Sequence, residues 1–145
     1  MEDQLLYLDS SALVKLVLPE AESDALRQSL SVWPVRISSE LARVEVMRAA
    51  RRAKAHPEAE QRAEEVMAGL YLLKIDSDIL SEAARLEPRS LRSLDAIHLA
   101  SALSLGADLG AIVIYDSNMA TAAAGHGLQV LAPGATGKTG NATGI

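Results

Sequence analysis

Short apolar runs alternate with longer amphipathic segments along this chain, and that order limits the fold more than any other feature. Residues 4–8, 35–37, 70–75, 111–115 and 128–131 are apolar enough to form buried strands. Segments with helical spacing of apolar residues lie between them, at 10–16, 19–30, 39–55, 57–70, 78–86, 94–105 and 118–125. Strands that alternate with helices predict an α/β domain with a parallel sheet.

A single domain accounts for the length of the chain. The 145 residues contain no internal repeat and no linker. We predict one domain over residues 1–133 and a disordered tail over 134–145, which is rich in Gly, Ala and Thr. Neither a basic leader segment nor an apolar stretch of about 20 residues is present. We therefore expect a soluble, cytoplasmic protein with no membrane partner.

The composition excludes several functions. The net charge is −5 and the isoelectric point is near 5.2, whereas a protein that coats duplex nucleic acid is usually basic. Aromatic residues make up 3% of the chain, so few side chains can stack on bases. The absence of cysteine excludes disulfides, zinc ribbons and thiol chemistry. An acidic nuclease, with its carboxylates gathered around a cation, remains compatible with these numbers.

Two aspartates follow predicted strands. Asp9 comes directly after the first strand, and Asp116 follows the fourth. In open α/β sheets, ligands bind in the crevice outside the carboxyl ends of the strands, near the switch in strand order. Both residues could also be ordinary turn aspartates, which bond to their own backbone. We select them as candidate site residues because of where the strands end.

Two further carboxylates lie on predicted helices with apolar faces. Glu45 follows Leu41 at i+4 on a helix that we expect to bury Leu41, Val44 and Met47. Asp95 lies in the first turn of a helix that otherwise has a core-like sequence. A carboxylate at the edge of an apolar surface is costly unless a cation or a donor satisfies it.

Both helical carboxylates have simpler explanations. Asp95 could complement the dipole of its helix at the N-terminal end. Glu45 could pair with Arg48 or Arg52 on a solvated face. Several carboxylates at one point repel each other, and a divalent cation relieves that repulsion. Oxygen ligands suit Mg²⁺ or Mn²⁺, so we hypothesise metal-assisted hydrolysis of a phosphodiester.

Four blocks of sequence, taken in order, resemble one family. They are YLDSSALVKL at 7–16, SELARVEVMR at 39–48, SLDAIHLASA at 93–102 and VIYDSNMATAAAGHGL at 113–128. These blocks are similar to those of PIN-domain ribonucleases, in particular the VapC-type toxins of VapBC toxin–antitoxin pairs. The likeness covers about residues 5–133.

The resemblance carries specific expectations. It implies a three-layer α/β/α fold with a central, mostly parallel sheet, and a metal-dependent endoribonuclease that uses Mg²⁺ or Mn²⁺. It implies RNA as the substrate, a homodimer, and a cognate VapB-like antitoxin as partner. It also implies that the catalytic and metal-binding residues are Asp9, Glu45, Asp95 and Asp116, acting directly or through water. No side chain would form a covalent intermediate.

Residues near these carboxylates receive supporting roles. Ser11 is placed to bond Asp9 or a metal-bound water, or else to cap the first helix, a position that Ser10 could also take. Asn118 could add a neutral oxygen to the site. We expect Arg89 and Arg92, close to Asp95 in sequence, to contact the substrate.

Two other polar features favour a structural explanation. The basic stretch formed by Arg43, Arg48, Arg51, Arg52 and Lys54 could follow an RNA backbone, but a solvated helix face is the favoured interpretation. His98 has no second His or Cys at ligand spacing, so we predict a hydrogen-bonded core histidine rather than a metal ligand.

Two other functions compete with the nuclease. A phosphatase would use Asp9 as a covalent nucleophile, but it would typically need a second Asp at position 11, which is Ser. A non-catalytic binding module would use the same carboxylates to hold a structural ion or to meet a basic partner. The identity of the cleaved RNA and the number of metal ions do not follow from the sequence.

Overall fold

The computed structural model describes residues 5–135 and shows strands and helices in alternation along most of this range. In chain order the elements are β1 (Leu5–Leu8), α1 (Ser10–Val17), α2 (Ser23–Leu30), β2 (Val35–Ser39), α3 (Leu41–Arg52), α4 (Ala59–Ala68), β3 (Tyr71–Leu73), α5 (Ser77–Arg85), α6 (Ser93–Leu103), β4 (Leu109–Val113), α7 (Ser117–Gly125) and β5 (Val130–Leu131). Gln4, which was predicted to begin the first strand, lies outside the described residues.

The five strands form one parallel sheet in the order β3-β2-β1-β4-β5. The chain proceeds outward from β1 through β2 to β3, and then returns to the other side of β1 with β4. The strand order therefore reverses between β1 and β4. Their carboxyl ends flank the crevice where open α/β sheets bind ligands.

Helices cover both faces of the sheet, and each face has its own core. Leu6 and Leu8 of β1 pack in one core with α1, α3 and α4, while Tyr7, which points to the opposite face, packs in the other with α6 and α7. Such alternation is expected of a strand buried on both sides. The predicted three-layer α/β/α fold with a mostly parallel sheet is confirmed.

Aspartates, rather than serines, cap the helices that follow three of the strands. Asp9, Asp76 and Asp116 each occupy an N-cap position, and each side chain accepts a hydrogen bond from the backbone N–H three residues on. The prediction that Ser10 or Ser11 caps the first helix is wrong. Ser10 is already helical, because the extended backbone of Asp9 lets β1 run straight into α1.

Two helices differ from their predicted extent or orientation. Helix α2 begins at Ser23 rather than at residue 19, because the Ser23 hydroxyl accepts from the Glu20 N–H and donates to the Leu18 carbonyl oxygen, holding a turn there. On α3 the predicted burial of Val44 is wrong, since this side chain is 59% exposed. The buried stripe is Ala42, Val46 and Ala50, whose small side chains let α3 pack closely on α1 and α4.

The last described residues pack on the body of the domain. The Tyr115 hydroxyl donates to the Pro133 carbonyl oxygen at 2.8 Å. Gly134 has φ +82°, and a Cβ there would stand 2.8 Å from the Cβ of Ala25 on α2, so glycine is required both for the backbone conformation and for the approach. The remainder of the predicted tail, residues 136–145, lies outside the described residues. Among residues 5–135 no helix has the length and apolar character needed to cross a membrane.

Candidate active site

Asp9 is the most buried of the candidate carboxylates. It follows β1 directly and is 4% exposed. Its Oδ1 accepts hydrogen bonds from the Ala12 backbone N–H and from the Ser11 hydroxyl, both at 2.9 Å. The contact between Ser11 and Asp9 is one of those expected from the sequence. Together the two donors fix the carboxylate at the carboxyl end of a central strand.

Asp116 and Asp95 lie on either side of one cavity. Asp116 follows β4 and is exposed. Its Oδ2 accepts a hydrogen bond from the Met119 N–H at 2.8 Å. Asp95 is half-buried in the first turn of α6. Both line a cavity of about 630 Å³ that lies between α7 and the start of α6, with residues 87–92 on the α6 side. This places Asp95 opposite the strand end that carries Asp116.

Glu45, on α3, does not line this cavity, but a hydrogen-bond network links it to α6, the helix that carries Asp95. Its Oε1 accepts a hydrogen bond from the Ser10 hydroxyl and lies 2.9 Å from His98 Nε2. The other ring nitrogen of His98, Nδ1, lies 2.7 Å from the hydroxyl oxygen of Tyr7. His98 is 2% exposed, which confirms the prediction of a hydrogen-bonded core histidine.

The electrostatics of the four carboxylates link them into one cluster. Burial raises the pKa of Asp9, hydrogen bonds from Ala12 and Ser11 oppose the rise, and the charge of Asp95 adds to it. Partial burial likewise raises the pKa of Asp95, and the charges of Asp116 and Glu45 raise it further. Both pKa values are raised because the neighbouring donors and positive charges only partly offset the cost of a negative charge at these positions.

Glu45 behaves differently from the aspartates. Partial burial raises its pKa, but hydrogen bonds from His98 and Ser10 outweigh that effect and hold the pKa below its usual value. The cluster therefore contains one carboxyl whose pKa is held low by neighbouring donors and two whose pKa is raised. A bound cation would shift all of them toward the ionised form.

The donor chemistry fits a hard cation that keeps part of its water shell. Within residues 5–135 no three His, Cys, Asp or Glu side chains are arranged as a ready-made metal-binding group. Most side-chain donors of the cavity are nevertheless oxygens, including those of Asp95, Asp116 and Asn118, and none of its lining residues carries sulfur. His126 also lines it, but its Nε2 is bonded to the Glu87 carbonyl oxygen. Mg²⁺ typically takes one or two carboxylates and several waters, whereas structural zinc needs four close ligands. The arrangement suits Mg²⁺ or Mn²⁺ better than zinc.

The structure separates the two arginines expected to contact substrate. Arg92 precedes α6 and lines the cavity beside Asp95, and its charge lowers the pKa of that carboxyl against the larger effect of burial. Arg89 does not line the cavity. Its side chain is 94% exposed, and its Nε lies 3.8 Å from a carboxylate oxygen of Glu87. The expected contact of Arg89 with the substrate therefore stays a prediction, without a place in this cavity to support it.

Other side chains occupy the positions expected of them. Asn118 lines the same cavity as Asp95 and Asp116. The five basic residues on and after α3 are all exposed, as a solvated helix face requires, and none forms an ion pair within residues 5–135; they are Arg43, Arg48, Arg51, Arg52 and Lys54.

Three side chains near the site were not selected from the sequence. Tyr7 contacts His98, and Ser10 contacts both His98 and Glu45. His126 lines the cavity, and its Nε2 donates to the Glu87 carbonyl oxygen at 2.7 Å. A signal existed for Tyr7, since a buried phenol in an aliphatic strand needs a partner. None existed for His126, because its contact joins segments far apart in the chain.

Comparison with known proteins identifies relatives over nearly the whole chain. A profile of the PIN domain matches residues 6–125. Ribonuclease VapC46 of Mycobacterium tuberculosis is 50% identical over 129 residues, which are 88% of this chain and 97% of that protein. Ribonuclease VapC35 of the same species is 44% identical over 137 residues, with 90% and 98% coverage.

Solved structures agree with the fold. VapC20 of Mycobacterium tuberculosis, described as a Sarcin-Ricin loop cleaving toxin, has a TM-score of 0.65 at 16% identity over 81% of this chain and 94% of its own. A toxin-antitoxin complex from Klebsiella pneumoniae has a TM-score of 0.62 at 25% identity, with 77% and 87% coverage. The resemblance carried by the four sequence blocks is confirmed, and the chain belongs to the PIN-domain family, among the VapC ribonucleases.

Proposed function

We propose that this chain is a Mg²⁺- or Mn²⁺-dependent endoribonuclease and the toxin of a toxin–antitoxin pair. The observation that supports this most is the position of the four carboxylates. Asp9 and Asp116 follow the two strands between which the strand order reverses. Asp95 links the set, because its charge acts on Asp9 and the charges of Asp116 and Glu45 act on it. The relatives named as VapC ribonucleases support RNA as the substrate.

The proposed roles follow from the surroundings of each side chain. Asp9, Glu45, Asp95 and Asp116 would hold the ion, directly or through water. Such an ion would polarise a phosphoryl oxygen and make water more acidic. Asp9 is held by its two donors and shielded from solvent, so it keeps its orientation when substrate enters.

The cavity between α6 and α7 would receive the RNA. Its volume of about 630 Å³ lies within the range of small-ligand sites, and Arg92, Asn118, Thr121 and His126 are among its lining residues. Arg92 would neutralise a phosphate, while the amide and hydroxyl groups would donate to ribose or base oxygens. Single-stranded RNA is recognised through such edges, so we expect an unpaired nucleotide here.

A covalent phosphatase mechanism fits this site less well. Asp9 is 4% exposed, and one of its oxygens already accepts two hydrogen bonds, which leaves little room for in-line attack. The hydroxyl of Ser11 donates to Asp9 and cannot serve as a second carboxylic acid. Water, rather than a side chain, is therefore the proposed nucleophile.

The proposed partners are a cognate antitoxin and a second copy of the chain. A VapB-like antitoxin would place a basic side chain beside Asp9 and Asp95, where negative charge is poorly compensated. The toxin-antitoxin complex among the similar structures supports such a partner. Exposed apolar side chains, including Val44 and Tyr71, offer surface for a homodimer. Sedimentation that shows a monomer at micromolar concentration would contradict the dimer.

The deciding experiment is RNA cleavage by the purified protein. A pool of structured and single-stranded RNAs is incubated with Mg²⁺, Mn²⁺ or EDTA, for the unmodified protein, Asp9→Asn and the control Asp76→Asn. Asp76 caps α5 with the same geometry as Asp9 caps α1, but it follows the edge strand β3. We expect metal-dependent cleavage that is lost only in Asp9→Asn. If Asp9→Asn cleaves RNA as fast as Asp76→Asn, the assigned site is refuted. If the folded, unmodified protein cleaves no RNA with either metal, a binding module is favoured.

A further inference from the structure

A buried chain of hydrogen bonds runs from the central strand to the carboxylate of Glu45. The hydroxyl oxygen of Tyr7 on β1 lies 2.7 Å from His98 Nδ1, and His98 Nε2 on α6 lies 2.9 Å from Glu45 Oε1 on α3. Tyr7 is fully buried and His98 is 2% exposed. Three elements of the fold meet in this one line of contacts, and hydrolysis needs neither Tyr7 nor His98 to touch the substrate.

The direction of each hydrogen bond follows from the chemistry of its ends. A carboxylate only accepts, so His98 Nε2 must carry the proton that it shares with Glu45. In a neutral imidazole the other nitrogen then accepts, and the Tyr7 hydroxyl donates to it.

Neighbouring hydroxyls do not compete for the donor role. The Ser10 hydroxyl oxygen lies 3.0 Å from His98 Nε2, but this hydroxyl donates its proton to Glu45. Ser38 and Ser101 lie near Tyr7, but their hydroxyls donate to the carbonyl oxygens of Leu8 and Ile97, at 2.6 and 2.8 Å. Neither can supply a proton to the ring nitrogen at the same time. Tyr7 and Glu45 therefore favour the same tautomer of His98, one from each side of the ring.

Both donors that reach Glu45 use the same oxygen. Ser10 and His98 each contact Oε1. Oε2 accepts no hydrogen bond from any residue between 5 and 135. Oε1 is thus bonded to Ser10 and His98, whereas Oε2 has no hydrogen-bond partner among the described residues.

We propose that Tyr7 and His98 are positioning residues, which fix the His98 tautomer with Nε2–H and thereby hold Glu45 with Oε2 free for a divalent cation or its water. This inference rests on the proposed function, because it assigns the free oxygen to the ion. Hydrogen-bond partners of metal-binding side chains typically change metal affinity or activity by roughly 10–100-fold when removed. We expect an effect of that size.

Two substitutions at position 98 separate positioning from mere packing. His98→Gln places an amide N–H near the Nε2 position and keeps a donor to Glu45. His98→Asn places its polar atoms near the Nδ1 position, so it retains a partner for Tyr7 and loses the donor to Glu45. Both leave a buried polar side chain of moderate size, and thermal unfolding checks that each is folded. Tyr7→Phe provides a third variant, which removes only the hydroxyl.

The first measurement is nitrogen-15 NMR of the imidazole in the metal-free protein. We expect a protonated Nε2 and an unprotonated, accepting Nδ1 in the unmodified protein, with a mixture of tautomers in Tyr7→Phe. A protonated Nδ1 in the unmodified protein would overturn the proposed direction of the chain. This test does not depend on metal binding or on nuclease activity.

The second measurement is calorimetric titration with Mn²⁺, together with kcat and KM for RNA cleavage. We expect His98→Asn to weaken Mn²⁺ binding by roughly 10–100-fold and to lower kcat with KM little changed, while His98→Gln recovers most of both. Equal Mn²⁺ affinity in the unmodified protein and His98→Asn would overturn the positioning role alone. An unmodified protein that binds no Mn²⁺ and cleaves no RNA would instead overturn the proposed function.

Discussion

Replacement of Asp9 by Asn separates the structural role of this side chain from its proposed role in metal binding. Asn retains a side-chain oxygen that can accept from the Ala12 N–H and the Ser11 hydroxyl, so the cap of α1 survives. The substitution removes only the charge. Because the carboxylate is 4% exposed, its ionised form is costly in the folded protein.

The sign of the effect follows from the raised pKa of Asp9. The folded protein binds this proton more tightly than the unfolded chain does, so the free energy of unfolding decreases as the pH rises through the raised pKa. At neutral pH and without metal, Asp9→Asn should therefore be as stable as the unmodified protein or more stable. Asp9→Ala loses the cap and should be less stable by about 0.5–2 kcal/mol. For a domain of this size that loss lowers Tm by roughly 2–6 °C.

Bound metal should make the unmodified protein more stable than Asp9→Asn. A ligand at about 100 times its Kd stabilises the folded state by about 2.7 kcal/mol, so Mg²⁺ or Mn²⁺ should raise Tm of the unmodified protein. Asp9→Asn should gain little, and the control Asp76→Asn should gain as much as the unmodified protein. Scanning calorimetry in EDTA and in millimolar Mn²⁺ measures all three. If Asp9→Asn in EDTA unfolds at as low a temperature as Asp9→Ala, the charge itself stabilises the fold and the reasoning from burial is refuted.

Three further predictions concern substrate contact, pH and packing. Arg92→Ala should raise KM for RNA roughly tenfold, equivalent to about 1.4 kcal/mol, while Arg89→Ala should leave steady-state kinetics unchanged; equal effects would contradict the separation of the two arginines. Mn²⁺ affinity, measured by titration calorimetry from pH 5 to 7.5, should fall as the pH decreases, because protons compete with the ion at the raised pKa values of Asp9 and Asp95. Gly134→Ala should lower the free energy of urea unfolding by about 1–3 kcal/mol, and an unchanged midpoint would refute the close approach to α2.

The architecture could be predicted from the sequence because each strand is marked by an apolar run of its own. Apolar runs of strand length recur between amphipathic segments, and a chain built in this way has few ways to bury both. The ends of the elements were less predictable. Ser23 shortens α2 by holding a turn with Glu20 and Leu18, a hydrogen-bond arrangement that periodicity does not encode.

The buried face of α3 could not be predicted from the sequence. Val44 was expected in the core because it is large and apolar, but the buried stripe contains two alanines and Val46. Close packing between helices favours small side chains, and a count of large apolar residues misses such an interface. Glu45 lies beside this stripe, so its contact with His98 became visible only with α6 in place.

The distinction between a cap and a catalytic carboxylate depends on the order of strands in space. Asp9, Asp76 and Asp116 share a residue type, a position after a strand and a hydrogen bond to the third N–H along. Nothing local distinguishes the three. Asp76 follows β3 at the edge of the sheet, whereas Asp9 and Asp116 follow neighbouring strands on either side of the switch in strand order. Asp95 then adds a charge that raises the pKa of Asp9 and is itself affected by Asp116. The same cap is therefore purely structural at the edge of the sheet and, under the proposed function, also a metal ligand at its centre.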